Sequence, residues 1–100
     1  MTSGTRLEFD PEAIKETRSA RAWYQERSLS AEMAFLAELR HAILKARETP
    51  QRWPKFTHDT RRVVLRRFPF SLVYRVKEDT VQVIALAHDK RKPGYWSHRQ

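Results

Sequence analysis

An α+β fold is what this sequence predicts, and three observations carry the expectation. Apolar residues recur at helical spacing between residues 11 and 48, strand formers dominate from residue 62 onward, and a short alternating stretch from Thr5 to Phe9 precedes both. The expected architecture is an N-terminal strand, then an antiparallel two-helix hairpin packed on a mainly antiparallel sheet, which a three-stranded C-terminal meander completes. One hundred residues suffice for one modest core. A single domain over residues 1–100 is therefore expected, with loose ends at 1–4 and 99–100.

In the first strand, Leu7 and Phe9 face one way. Asp10-Pro11-Glu12 then starts a helix: Asp10 can accept a free backbone N–H, Pro11 sits where no N–H is needed, and Glu12 complements the dipole. Its inner face is read as Ile14, Thr17, Arg21 and Tyr24, with Ala13, Ala20 and Trp23 beside them, as far as about Arg27. Ser30 is the expected cap of a second helix, in which Met33, Leu36, Leu39, Ile43 and Ala46 recur at threes and fours. Only a few residues join the two, which implies a hairpin. Pro50 and Pro54 end the second helix, and a loop to about Thr60 follows.

Strands are expected over 62–68, 70–76 and 81–88, with Pro69 at the first connection and Lys77 to Thr80 as a polar turn at the second. Setting Val76 opposite Val81 pairs Tyr74 with Val83, Leu72 with Ala85 and Phe70 with Ala87, an apolar face for the helices. The other face then holds Ser71, Val73, Arg75, Gln82, Ile84, Leu86 and His88. That face is too apolar for open solvent, so it should lie under the tail or against a partner.

The net charge of +8 is unevenly spread: residues 1–50 carry eight Lys/Arg against eight Asp/Glu, and residues 51–100 carry twelve against four. A one-sided positive field favours a polyanionic partner, nucleic acid or acidic protein. The absence of cysteine excludes disulfides and thiolate metal sites and fits a reducing compartment. The start carries no apolar leader, and the longest apolar run, 83–87, is too short to cross a bilayer. A cytoplasmic protein without membrane contact is expected. His41, His58 and His98 are too scattered for metal spacing, so neither a metal nor another cofactor is expected.

Residues 87–96 read AHDKRKPGYW, a basic run, a rigid turn and two aromatics at the end of the chain. Tyr95 and Trp96 are expected to anchor this tail on the sheet and so hold Lys90, Arg91 and Lys92 at fixed positions, although the same run would also protect an edge strand. Trp23, Tyr24 and Trp53 read as core and loop plugs.

Four stretches, in this order, resemble the RelE/ParE superfamily of bacterial toxins: Ala22-Trp23-Tyr24, Pro50 to Pro54 (PQRWP), Arg66 to Val76 (RRFPFSLVYRV) and Ala87 to Trp96. The resemblance spans about residues 6–98. It implies the toxin of a type II, plasmid-stabilising toxin–antitoxin pair, with a cognate antitoxin as partner and oligomers formed through that antitoxin. Two activities share the scaffold. RelE-like members are ribosome-dependent endoribonucleases cutting mRNA, whereas ParE-like members inhibit DNA gyrase without being hydrolases. For a nuclease, the candidate residues are His88 as acid or base, Arg75, Lys90 and Arg91 on phosphate, and Tyr95 for stacking or proton donation. The strand arginine that RelE-like nucleases carry before their Leu-Val-Tyr stretch is replaced here by Ser71, which speaks against ribonuclease activity, and the Arg66 to Phe70 and His88 to Trp96 stretches look more like the ParE branch. The candidate surface for target or antitoxin is Arg62, Arg66, Arg75, Ile84, Leu86, His88, Lys90, Arg91, Lys92, Tyr95 and Trp96. An inactive basic interaction domain is the remaining alternative.

Overall fold

The structure, a computed structural model, describes residues 6–99; the expectation for residues 1–4 lies outside them. Its elements are β1 (Arg6–Phe9), α1 (Pro11–Arg27), α2 (Leu29–Glu48), β2 (Lys55–Phe56), β3 (Thr60–Val64), β4 (Phe70–Lys77) and β5 (Thr80–His88). The five strands form one sheet in the order β1-β5-β4-β3-β2, antiparallel throughout except for the parallel β1–β5 pair. This is the α+β architecture that the sequence pattern implies.

Each helix begins where a side chain satisfies a free N–H. Asp10 Oδ1 accepts from the Glu12 N–H at 2.8 Å, and Ser28 Oγ accepts from the Ala31 N–H at 2.9 Å. Ser28, not Ser30, is the second cap. Its extended backbone also donates an N–H to Tyr24 O, so one residue closes α1 and opens α2. The buried faces differ from the expected ones as well. In α1 the fully buried residues are Ala13 and Ala20, while Ile14 is exposed and Arg21 reaches over to Glu32. In α2 the buried stripe is Glu32, Phe35, Leu39, Ala42 and Ala46, and Met33 points outward. Phe35 meets Tyr24, Phe68 and Phe70, an aromatic cluster that joins hairpin to sheet.

Three departures in the sheet have local causes. First, residues 57–60 turn back as a hairpin between β2 and β3, with His58 and Asp59 both at φ 58°. Such a turn more often carries Asn or Gly, and His-Asp, although both types tolerate positive φ, is a weaker signal for it. Second, β3 stops at Val64 because the Arg66 N–H, and more weakly the Arg67 N–H, are taken by the Glu38 carboxylate of α2. Third, the β4–β5 register shifts by one residue between Val73 and Tyr74. Tyr74 pairs with Val83 as expected, but Val73 then pairs with Ala85, Leu72 with Leu86, Ser71 with Ala87 and Phe70 with His88. Ile84 is the extra residue.

The slip exchanges faces. Leu86 joins the helix-side core with Leu72, Tyr74, Val81 and Val83, and the His88 and Phe70 rings meet nearly perpendicular. Ile84, Ala85 and Ala87 pack with Val73 under Trp96 on the other side. That second face is covered by the C-terminal segment. Among the described residues, no helix is long and apolar enough to cross a membrane.

Candidate functional site

After β5 the chain does not trail off. The Asp89 N–H donates to Pro69 O, the Arg91 N–H to His88 O, and the Lys90 N–H to His88 Nδ1, winding residues 88–91 into a tight turn. Gly94 then takes φ 89°, and the Ser97 and Arg99 N–H groups donate to Gly94 O and Trp96 O. Only 1 % of Trp96 remains exposed; it packs against Phe56 with the rings tilted by 30° and meets Tyr95 edge to face. Arg62 lies over the Phe56 ring at 4.1 Å and Arg91 over the Tyr95 ring at 3.8 Å.

The far end of the segment is held by α1. Glu16 receives the Tyr95 hydroxyl at 2.6 Å, two bonds from Arg99 at 3.0 Å, and the Leu86 N–H at 3.0 Å. Arg99 also donates to Ile84 O. Burial, reinforced by the hydrogen bond to Glu16, pushes the Tyr95 phenol well above its usual range. Burial works against the Arg99 charge, but its bonds to Glu16 outweigh this and leave its pKa raised. Both groups keep their protons at any physiological pH. Arg99, expected in a loose end, is instead pinned, its side chain 8 % exposed.

Two concavities flank the turn. A cleft of about 590 Å³ runs between α1 and the tail, floored by Ala20, Phe70 and Leu86 and edged by Trp23, Tyr24, His88, Arg91 and Tyr95. A smaller cup of about 300 Å³ lies beneath the tail, among Arg62, Ser71, Val73, Ala87, His88 and Arg91. His88 and Arg91 border both. Lys90 and Lys92 are exposed on the outside of the turn.

The expected residues therefore divide. Arg62, His88, Arg91, Tyr95 and Trp96 come together, with Lys90 and Lys92 beside them. Arg75 sits elsewhere, in a pocket with Gln51, Asp59 and Arg61. Along β4 it is five residues beyond the Phe70 that pairs with His88, roughly 16 Å at strand spacing. Arg66 borders a third groove beside α2, with Glu38, His41 and Lys45. Ile84 and Leu86 are both buried, and of the two only Leu86 borders a concavity, in the floor of the cleft. Trp23, read as a plug, is half exposed at the cleft with Arg27 stacked on it. Tyr24 and Trp53 are half-buried against the core. Glu16 and Arg99 escaped notice, as did Phe56. Glu16 lies three residues after Ala13 and four before Ala20, a carboxylate on an alanine-lined face, and that spacing was the available signal. Among the described residues, no group of three His, Asp or Glu is placed to hold a metal ion.

The family described as "ParE toxin of type II toxin-antitoxin system, parDE" matches residues 7–93. The chain belongs to the ParE toxin family. A solved structure described as a chromosomal ParDE TA system from P. aeruginosa shares the fold, with a TM-score of 0.60 at 19% identity, covering 83% of this chain and 94% of that one. No curated protein matches. In this ParE-family chain the matched stretch ends at Pro93, so Tyr95, Trp96 and Arg99, which fasten the tail, all lie beyond it.

Proposed function

We propose that this ParE-family toxin inhibits DNA gyrase in the cytoplasm by docking its C-terminal basic turn, and that a cognate acidic antitoxin silences it by covering the same region. The observation that carries the reading is the fastened tail. Because Trp96, Tyr95 and Arg99 are buried or half-buried anchors, Lys90, Arg91 and Lys92 project from a fixed base. Pre-set cations bind a complementary surface without the ordering cost that a mobile tail carries. The adjoining cleft, with an apolar floor and a basic and aromatic rim, suits an amphipathic acidic segment of the antitoxin.

The nuclease alternative finds less support. The strand position held by arginine in RelE-like enzymes is Ser71, 3 % exposed in the floor of the cup. Arg75 is too distant to stand in, and the Tyr95 proton is committed to Glu16. The test is a supercoiling assay with the purified full chain. We expect inhibition that antitoxin reverses and that falls at least tenfold in the Lys90→Ala, Arg91→Ala, Lys92→Ala triple variant. Codon-dependent mRNA cuts made only with ribosomes, with gyrase unaffected, would overturn the reading.

A further inference from the structure

We infer that Glu16 is a positioning residue: it fixes the pose of the C-terminal segment by completing the open edge of β5, and the tail's action depends on it. The inference rests on the function proposed above for the basic turn. It begins with a mismatch of strand lengths. β1 ends at Phe9, opposite Val83, and the Asp10 N–H makes the last main-chain bond to that edge, to Val83 O at 2.9 Å. β5 runs on to His88. Beyond Val83, where no described strand lies beside the edge, Ile84 C=O and Leu86 N–H find side-chain partners instead. Arg99 donates to the first and Glu16 accepts from the second, each at 3.0 Å. Together the guanidinium and carboxylate supply the donor and acceptor that a neighbouring strand would have supplied.

The same carboxylate binds the tail. Glu16 Oε2 accepts from the Tyr95 hydroxyl and Arg99 Nη2, and Oε1 from Arg99 Nη1 as well as Leu86 N. Four bonds fill the sites a carboxylate offers. Glu16 is 17 % exposed and Arg99 8 %, so removing either charge leaves the other poorly solvated and without its partner. Neither Tyr95 nor Arg99 belongs to the helix-side core. Losing Glu16 should therefore release the tail while the hairpin stays on the sheet. Its neighbours Lys15 and Glu12 are paired with each other at the surface and take no part.

The experiment compares the full-length wild type with Glu16→Gln and Glu16→Ala by hydrogen exchange and by gyrase supercoiling. We expect amides of residues 89–99 to exchange at least tenfold faster in Glu16→Ala, with β4 and β5 protected as before. The half-inhibitory concentration should rise at least tenfold, and Glu16→Gln, which keeps one acceptor, should fall between on both scales. A purely structural role would instead move potency with melting temperature. If Glu16→Ala does not fold, Arg99→Ala serves, since it leaves Glu16 on Leu86 N–H, and the same loosening is expected. Unchanged tail protection overturns the inference, and so does a freed tail with undiminished potency. If the wild type leaves gyrase untouched, the functional reading fails, and the exchange comparison alone then decides for or against Glu16 as the residue that holds the segment.

Discussion

Gly94 pays for its turn with a conformation closed to most residues. At φ 89° a side chain is strained, and a Cβ there would stand 2.6 Å from His58 Nε2. Gly94→Ala should cost about 1–2 kcal/mol, a fall of several degrees in melting temperature. His58→Ala in the same chain should recover only the clash, because the backbone strain remains. Thermal melts of the two single variants and the double separate these contributions. At this scale the sequence was half legible. Pro93-Gly94 announced a turn and Tyr95-Trp96 an anchor, because those residue types have few other uses beside a sheet. Trp23 and Glu16 were misjudged or missed because a side chain's surroundings, unlike its type, are made by elements distant in the chain.

Element boundaries depended on which of several equivalent signals the tertiary structure used. Ser28 and Ser30 are both plausible caps, and the hairpin selects Ser28 because an extended residue there reverses the chain at once. Ser28→Ala should lower stability by about 1 kcal/mol, while Ser30→Ala, whose hydroxyl caps nothing in α2, should be close to neutral. Chemical denaturation of the two variants, followed by far-UV circular dichroism, distinguishes them. The three C-terminal strands were visible from β-branched and aromatic runs, and their meander order followed from short connections, whereas β2 lies in a stretch that reads as loop and the pairing of β1 with β5 carries no local signal. Their register was not visible. A bulge at Ile84 carries no compositional mark, yet it moved Leu86 and His88 across the sheet and put Ala85 and Ala87 beneath Trp96. β3 was read too long because the carboxylate that diverts Arg66 belongs to α2.

For the molecule as a whole, all three tyrosines titrate above their ordinary value. Burial is the leading cause at Tyr24, Tyr74 and Tyr95, and Tyr74, whose hydroxyl donates to Pro50 O, is pushed up to about 12. The unfolded chain begins to lose these protons near pH 10 while the folded one keeps them. Stability from this source is thus complete below about pH 10 and is lost as pH rises toward 12. Melting temperature should fall across that window, and Tyr74→Phe should flatten the decline while costing about 1 kcal/mol at neutral pH for the orphaned Pro50 carbonyl. The fold class itself was legible because period and order along the chain suffice for it, and the run Lys90-Arg91-Lys92 before Pro93-Gly94 marked the exposed basic turn. The parallel seam between β1 and β5 has one more consequence. It joins the earliest-made described strand to the last-made one, so on a growing polypeptide β1 has no strand to pair with until β5, Thr80–His88, has been made. Residues 6–48 should stay unassembled until then, and the native toxin should arise late in synthesis, in a slow step governed by distant pairing.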